Sequence, residues 1–203
     1  MTNHVTPKFV FTGDSITNYW DIQNALNIPA SLFKNTGIPG HTTKNLLNRF
    51  NKDVLAHQPE HVVLLIGVND MWPLEHSPYY RGKILSEAVI KSKLLAQYEL
   101  LIKRCLEINQ SLIICSILPT DLDFSSFNTE RNQLICDVNE QLKTWCKKHK
   151  LIYVDYHQAL VSEDGLTMRP GLTVDGLHLN SKGYDIFTTV LRETLEKHHI
   201  SLT

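Results

Sequence analysis

The sequence lacks the charge imbalance and the long apolar stretches that mark several classes of protein. Its 20 basic and 21 acidic side chains leave a formal charge of −1, so it offers no concentrated basic face for a nucleic acid or an anionic membrane. No apolar run approaches the ~18 residues that cross a bilayer, so we expect no integral membrane association. Residues Met1 to Lys8 lack the charged and then apolar pattern of a secretory signal, which favours a cytoplasmic protein.

Cysteine pairs at metal-binding or redox spacing are absent as well. The four cysteines, Cys105, Cys115, Cys136 and Cys146, show no C-x-x-C spacing and lie in segments with apolar periodicity. This placement is typical of buried, reduced thiols and does not support a redox or zinc site. Since 42% of the residues are hydrophobic, the chain can form a core without disulfide or metal cross-links.

The sequence does contain a regular alternation of short apolar runs and longer helical patterns. The runs predict strands at 9–12, 31–34, 61–66, 111–117 and 151–154, and the patterns predict helices at 15–26, 42–55, 84–107, 129–149 and 181–198. The central runs "HVVLLI" and "SLIICSI" are apolar throughout, as in strands that are buried on both faces. The chain is therefore predicted to be one α/β domain over residues 1–203, with a parallel sheet covered by helices on both faces.

Polar residues follow each predicted strand at its carboxyl end, which is where such sheets carry their functional sites. The segments are "GDSIT", "NTGIPGHTT", "GVNDMW", "LPTDLD" and "DYH", followed by "LTVDGLHLNSKGY" before the last helix. We therefore expect the functional residues to gather on this edge of the sheet.

Ser15 has two interpretations when "GDSIT" is taken alone. A Gly-Asp-Ser sequence before a helix is good capping chemistry, so Ser15 fits a helix N-cap. It also fits a nucleophile, provided that a base takes its proton and donors stabilise the oxyanion. The chain has no G-x-S-x-G motif, so the α/β-hydrolase arrangement is not available to it.

The candidate bases are His41, His157 and His178. Asp175 precedes His178 by three residues, and Gly176 between them allows a tight turn, so the carboxylate can orient the imidazole as in a catalytic triad. His157 also has an aspartate nearby, but residues two apart at a strand end do not converge. The local pattern therefore favours His178.

Two further residues fit an oxyanion site. Gly40 precedes a helix and can present a backbone N–H where a side chain would obstruct approach, and Asn69 carries an amide that suits a developing alkoxide. Each also fits an ordinary turn or cap. Their position on the same edge as Ser15, Asp175 and His178 favours catalysis.

These segments resemble the blocks of the SGNH hydrolases, the GDSL-type esterase/lipase superfamily. "FTGDSIT" is similar to the first block, with Ser15 as nucleophile, and "NTGIPGHTT" to the second, with Gly40 as a donor. "LLIGVNDMW" matches the third block at Asn69, and "VDGLHLNSKGY" matches the last at Asp175 and His178. The blocks occur in family order over residues 11 to 184.

The resemblance implies a three-layer α/β/α, flavodoxin-like fold with a five-stranded parallel sheet, and ester hydrolysis without a metal or other cofactor. It also implies that Ser15 attacks, His178 acts as base and then acid, and Asp175 orients it. The N–H groups of Ser15 and Gly40 and the side chain of Asn69 would hold the oxyanion. The compact chain looks most like small acetylesterase, arylesterase and platelet-activating-factor-acetylhydrolase-like members, so a small-molecule ester with a short acyl group is expected. A thioesterase or lysophospholipase for longer acyl chains is the alternative, and a non-catalytic flavodoxin-like binding module is a third possibility.

Residues near Asn69 are the predicted substrate contacts. Met71 and Trp72 open an aromatic-rich segment, "MWPLEHSPYYRGK", that fits either a wall for the acyl group or a cover for the next helix. Phe124 and Phe127 offer apolar surface on another loop. Asp14, directly before Ser15, is also a predicted substrate contact.

Overall fold

Five parallel strands form the centre of the structure, a computed structural model that describes residues 6–203. The strands are β1 (Phe9–Gly13), β2 (Phe33–Asn35), β3 (His61–Leu65), β4 (Ser111–Cys115) and β5 (Ile152–Val154), in the order β2-β1-β3-β4-β5. This is the flavodoxin-like order, and it confirms the predicted parallel α/β fold. Residues 1–5 of the segment Met1 to Lys8, which is predicted not to be a signal, lie outside the described residues.

Helices cover both faces of the sheet. They are α1 (Ser15–Tyr19), α2 (Ile22–Leu26), α3 (Thr43–Asp53), α4 (Glu87–Glu107), α5 (Asn128–His149), α6 (Tyr156–Leu160) and α7 (Ser181–Lys197). Short 3₁₀ helices occur at Ala30–Leu32, Leu55–His57 and Val68–Leu74. Helix α4 packs between α3 and α5, while α7 packs against α2 and α6. None of the helices in residues 6–203 is long and apolar enough to cross a membrane.

The helix predicted over 15–26 is broken in the structure. Trp20 has an extended backbone and ends α1, and its buried ring packs against Phe11 at 5.4 Å and Phe187 at 5.1 Å between ring centroids. Asp21 then caps α2 by accepting a hydrogen bond from the N–H of Asn24. Burial of one large ring thus outweighs the local tendency to continue the helix.

Other boundaries differ by a few residues. Strand β2 begins at Phe33 rather than at residue 31, because Ala30–Leu32 forms a 3₁₀ turn, and α4 begins at Glu87 rather than at residue 84. Helix α6 and the 3₁₀ helix Val68–Leu74 were not predicted. The four cysteines are free thiols, but Cys136 is only half-buried, unlike the other three.

The sheet order places the end of β1 beside the end of β3. Val10 pairs with Val62, and Gly13 pairs with Leu65 at the carboxyl edge. The chain order reverses here, since β2 lies on one side of β1 and β3 on the other. A crevice forms at such a reversal in an open parallel sheet.

Candidate active site

Ser15 lies at this crevice as the first residue of α1. Gly13 ends β1 so close to β3 that a Cβ there would lie 2.0 Å from the Leu65 carbonyl oxygen. Asp14 is the N-cap, because its Oδ1 accepts a hydrogen bond of 3.0 Å from the Ile16 N–H. The capping role that the sequence also allowed for Ser15 therefore belongs to Asp14.

The Ser15 hydroxyl contacts His178, which in turn contacts Asp175. Ser15 Oγ lies 2.9 Å from His178 Nε2, and His178 Nδ1 lies 2.6 Å from Asp175 Oδ2. An ionised carboxylate only accepts hydrogen bonds, so Nδ1–H donates to Asp175 and Nε2 is left to accept from the serine hydroxyl. The structure thus brings the three side chains together in the order serine, histidine, aspartate, which general-base activation of a serine requires.

A tight turn places the Asp175 carboxylate against the His178 ring. Gly176 has φ +81°, and a Cβ there would lie 1.8 Å from the Asp121 carbonyl oxygen, so only glycine fits. Asp175 Oδ1 accepts hydrogen bonds from the backbone N–H groups of Leu177 (3.0 Å) and His178 (2.8 Å). Burial raises the pKa of the Asp175 carboxyl, but the hydrogen bonds from the His178 ring and these N–H groups outweigh it and lower the pKa overall. Asp175 is therefore held as a carboxylate.

The other two candidate bases lie elsewhere. His157 follows β5, which β3 and β4 separate from β1 and Ser15. Its Nε2 is 3.7 Å from the Cys136 thiol, and its backbone N–H donates to Ser116 Oγ. The His41 ring accepts a hydrogen bond of 3.1 Å from Arg49 Nε. Neither ring contacts Ser15, as the local sequence pattern indicates.

Gly40 and Asn69 line the same cavity as Ser15 and His178. Gly40 has φ +76°, while a Cβ there would meet no atom within 4 Å. The position therefore favours glycine for its backbone conformation, and packing against other protein atoms is not what requires it.

The Asn69 amide is fixed at both ends. Its Nδ2 donates to the His41 carbonyl oxygen at 3.1 Å, and its Oδ1 accepts from Trp72 Nε1 at 2.8 Å. The NH₂ group has two hydrogens, so one remains for a ligand in the cavity.

An aromatic wall lines the cavity, whose volume is about 530 Å³. Trp72, Tyr79 and Phe124 contact one another, with ring centroids 5.3 to 6.4 Å apart. Tyr19 also lines the cavity, with its ring centroid 5.6 Å from that of His178. Tyr19 was missed, although its position four residues after Ser15 places both on one face of α1.

Two predicted substrate contacts, Met71 and Asp14, are wrong, and only one of the two predicted phenylalanines lines the cavity. Met71 is 0% exposed and packs in the core, because the 3₁₀ helix turns it away from the side on which Trp72 reaches the cavity. Asp14 is 1% exposed, and its carboxylate caps α1. Phe127 precedes α5 outside the cavity, so the predicted loop contributes Phe124 alone of the two.

A pair of buried carboxylates lies behind the site. Burial raises the pKa of Asp14 to about 7, opposed by the hydrogen bond from Ile16 and assisted by the charge of Asp70. Burial likewise raises the pKa of Asp70 to about 6, against hydrogen bonds from the Thr43 hydroxyl and N–H. Within residues 6–203, no three His, Cys, Asp or Glu side chains are arranged to hold a metal ion.

Comparisons with known proteins find related sequences and structures. The sequence model of the family described as "GDSL-like Lipase/Acylhydrolase family" matches residues 11–186. An acetylxylan esterase from Geobacillus stearothermophilus is 39% identical over 49 residues, which is 24% of this chain and 22% of that protein. An N-acylneuraminate cytidylyltransferase from Escherichia coli O18:K1:H7 is 24% identical over 189 residues, or 91% of this chain and 39% of that protein. The matched regions therefore cover less than half the length of either curated relative.

Solved structures share the fold over nearly the whole chain. A GDSL-like lipase from Bacteroides thetaiotaomicron has a TM-score of 0.73 at 25% identity, covering 94% of this chain and 88% of that one. A catalytic mutant of an acetylxylan esterase from Geobacillus stearothermophilus has a TM-score of 0.73 at 18% identity, covering 97% and 96%. A lipase/acylhydrolase from Enterococcus faecalis has a TM-score of 0.67 at 24% identity, covering 95% and 96%.

Proposed function

The chain belongs to the GDSL-like lipase/acylhydrolase family, and on that premise we propose that it is a serine esterase that hydrolyses short-chain acyl esters, with acetyl esters preferred. The observation that carries the proposal is the hydrogen-bonded series from Ser15 Oγ through His178 to Asp175, at a cavity that Gly40 and Asn69 also line. We also propose that residues 1–203 form one hydrolase domain, since the buried apolar side chains of the described part belong to one cluster.

In the proposed mechanism, His178 Nε2 takes the hydroxyl proton of Ser15 as Oγ attacks the ester carbonyl carbon. The carbonyl oxygen becomes an oxyanion, which accepts hydrogen bonds from the N–H groups of Ser15 and Gly40 and from Asn69 Nδ2. His178 then gives its proton to the leaving alcohol, and an acyl-enzyme remains. Water repeats the sequence with His178 again as base, which releases the carboxylic acid and restores the Ser15 hydroxyl.

Asp175 has an orienting role in this scheme. Its hydrogen bond to Nδ1 selects the tautomer whose Nε2 can accept the serine proton, and its negative charge stabilises the imidazolium that forms. The lowered pKa of Asp175 supports this role, because the carboxylate stays ionised while His178 carries the extra proton.

The preference for a short acyl group is supported by one relative. The cavity of about 530 Å³ has the size of an ordinary small-molecule site and would hold the acyl group and part of the alcohol. The curated relative with the higher identity, over 49 residues, is an acetylxylan esterase. The aromatic wall of Trp72, Tyr79 and Phe124 offers flat apolar surface to the remainder of the substrate.

A chain-length series of p-nitrophenyl esters, from acetate to palmitate, tests the proposal. We expect kcat/KM to be highest for acetate or butyrate and to be lost in Ser15→Ala, since the nucleophile is removed. A maximum at decanoate or longer would overturn the short-chain preference and favour the thioesterase or lysophospholipase alternative. Hydrolysis no faster in the wild type than in Ser15→Ala would overturn the esterase mechanism itself and favour a binding module.

A further inference from the structure

Arg49, on the inner side of α3, contacts two of the segments that form the site. Its Nη2 donates to the Gly13 carbonyl oxygen at 3.0 Å, two residues before Ser15. Its Nε donates to His41 Nδ1 at 3.1 Å, one residue after Gly40. The side chain is 11% exposed, so these hydrogen bonds are largely protected from water.

His41 continues the connection to the third segment. Its carbonyl oxygen accepts the hydrogen bond of 3.1 Å from Asn69 Nδ2, and its own N–H donates to the Ile38 carbonyl oxygen at 3.2 Å. One guanidinium is thus joined, directly or through His41, to the neighbours of Ser15 and Gly40 and to the Asn69 side chain.

The hydrogen bond from Arg49 Nε requires a neutral His41 ring. Nδ1 can accept from Arg49 only when it carries no proton. Burial and the positive charge of Arg49 lower the pKa of His41, and the charge of Asp53 opposes them. Burial and the Arg49 charge both favour the neutral ring, in which Nδ1 can accept.

We propose that Arg49 is a positioning residue of the oxyanion site: it holds the segments that carry Ser15, Gly40 and Asn69 in one arrangement before substrate binds. The proposal rests on the proposed function, because it assigns these three residues as donors. Donors that are already aimed at the oxyanion need no reorganisation during the reaction, which is where their catalytic benefit arises.

A merely structural role for Arg49 is separable from this one. Helix α3 has its own capping box, in which Thr42 and Asn45 hydrogen-bond reciprocally, and it buries Leu46, Leu47 and Phe50. Since these interactions do not involve Arg49, we expect the helix to persist without its guanidinium.

The test replaces Arg49 by methionine and by lysine, with Arg104→Met as a matched control. Arg104 reaches α3 from α4 and donates to the Leu47 carbonyl oxygen at 2.8 Å, away from the cavity. We expect Arg49→Met to lower kcat by about 10- to 100-fold on p-nitrophenyl acetate with little change in KM, a loss smaller than that of a deleted donor. Arg49→Lys, which can keep one hydrogen bond, should recover part of the rate, and Arg104→Met should match the wild type.

A second readout does not depend on hydrolysis. In a Ser15→Ala background, the side-chain NH₂ signals of Asn69 in a ¹⁵N–¹H spectrum, assigned by their loss in Asn69→Asp, should shift in Arg49→Met and not in Arg104→Met. If the wild type is active and Arg49→Met retains both its kcat and the Asn69 signals, the positioning role is wrong. If the signals shift but the wild type shows no hydrolysis that depends on Ser15, the positioning holds and the proposed function fails.

Discussion

At the scale of single residues, Asp14 and Ser15 have different roles at the start of α1. Asp14 accepts the Ile16 N–H and so satisfies one of the amides that a helix leaves without a partner in its first turn. Ser15 is freed from capping, so its hydroxyl can contact His178 and its own first-turn N–H can serve an oxyanion. Of the two roles that "GDS" allowed for Ser15, the N-cap is therefore taken by Asp14.

Asn69→Ala tests the proposed oxyanion site at this scale. Asn69 is held by Trp72 on one side and by the His41 carbonyl on the other, so its free N–H is already oriented. Loss of one such donor raises the barrier by roughly 3–4 kcal/mol, so we expect kcat to fall by ~10²–10³ with KM little changed. Steady-state kinetics on p-nitrophenyl acetate measures both.

The control for this prediction is Asn51→Ala, the same change at an exposed position of α3. Turnover like that of the wild type in Asn69→Ala would remove Asn69 from the catalytic site. A rise in KM with unchanged kcat would instead give the amide a role in ground-state binding.

At the scale of elements, the N-cap of α1 carries an electrostatic cost. The raised pKa of Asp14, about 7 against an ordinary value of 3.8, means that the folded state retains a proton that the unfolded chain has released. Between these values the folded state binds more protons, so the free energy of unfolding falls as the pH rises. Above about pH 7 the whole cost is present, on the order of 1–4 kcal/mol.

Asp14→Asn should remove this cost while keeping an oxygen to accept the Ile16 N–H. We expect the variant to be more stable than the wild type at about pH 8, with a difference that shrinks towards zero near pH 4, as measured by urea unfolding across the pH range. KM should not change, because the Asp14 side chain is buried away from the cavity.

Asp21→Asn, the same exchange at the exposed cap of α2, measures what the change of cap group contributes on its own. A stability difference between Asp14→Asn and the wild type that is as large at pH 4 as at pH 8 would show that the Asp14 carboxylate is not the source of the effect.

The elements that sequence could predict are those with a strong local signal. Continuous apolar runs gave β3 and β4, and apolar spacing gave α3 and α5 to within two residues at each end. The break at Trp20 was missed because it depends on the rings of Phe11 and Phe187, which the chain brings together only on folding. The short α6 buries Tyr156 and Leu160 in too few residues to show a helical period.

The site residues likewise divide into those with a local signal in the sequence and those that depend on contacts formed on folding. Ser15 and Asn69 could be expected on one edge, because they follow parallel strands whose ends meet there, and the Asp175–His178 pair could be expected from its spacing of three residues around Gly176. Met71 was placed wrongly, because the 3₁₀ helix that turns it inward and Trp72 outward leaves no signal in an apolar pair. Arg49 was not predicted to matter, since an arginine on a helix shows its partners only in three dimensions.

At the scale of the whole molecule, a buried arginine on α5 forms an ion pair and a hydrogen bond with two of the segments that form the cavity. Arg131, 1% exposed on α5, donates to Glu75 Oε1 at 2.9 Å, just beyond the 3₁₀ helix that carries Trp72. It also donates to Ser125 Oγ at 2.8 Å, and its guanidinium lies 5.5 Å from the Trp72 ring centroid. The aromatic wall therefore depends on a charge pair between segments that are distant in sequence.

Removing one partner of this pair should be more harmful than removing both. Arg131→Met leaves the Glu75 carboxylate buried without its countercharge, so we expect it to lower the free energy of unfolding by about 3–5 kcal/mol, and the double variant Glu75→Leu/Arg131→Met to recover most of that loss. The control is Lys91→Met, which breaks the half-exposed pair with Asp137 and should cost less than about 1 kcal/mol. Urea unfolding of all four proteins measures these differences. A double variant as unstable as Arg131→Met would show that lost packing around the arginine, and not the uncompensated charge of Glu75, determines the cost.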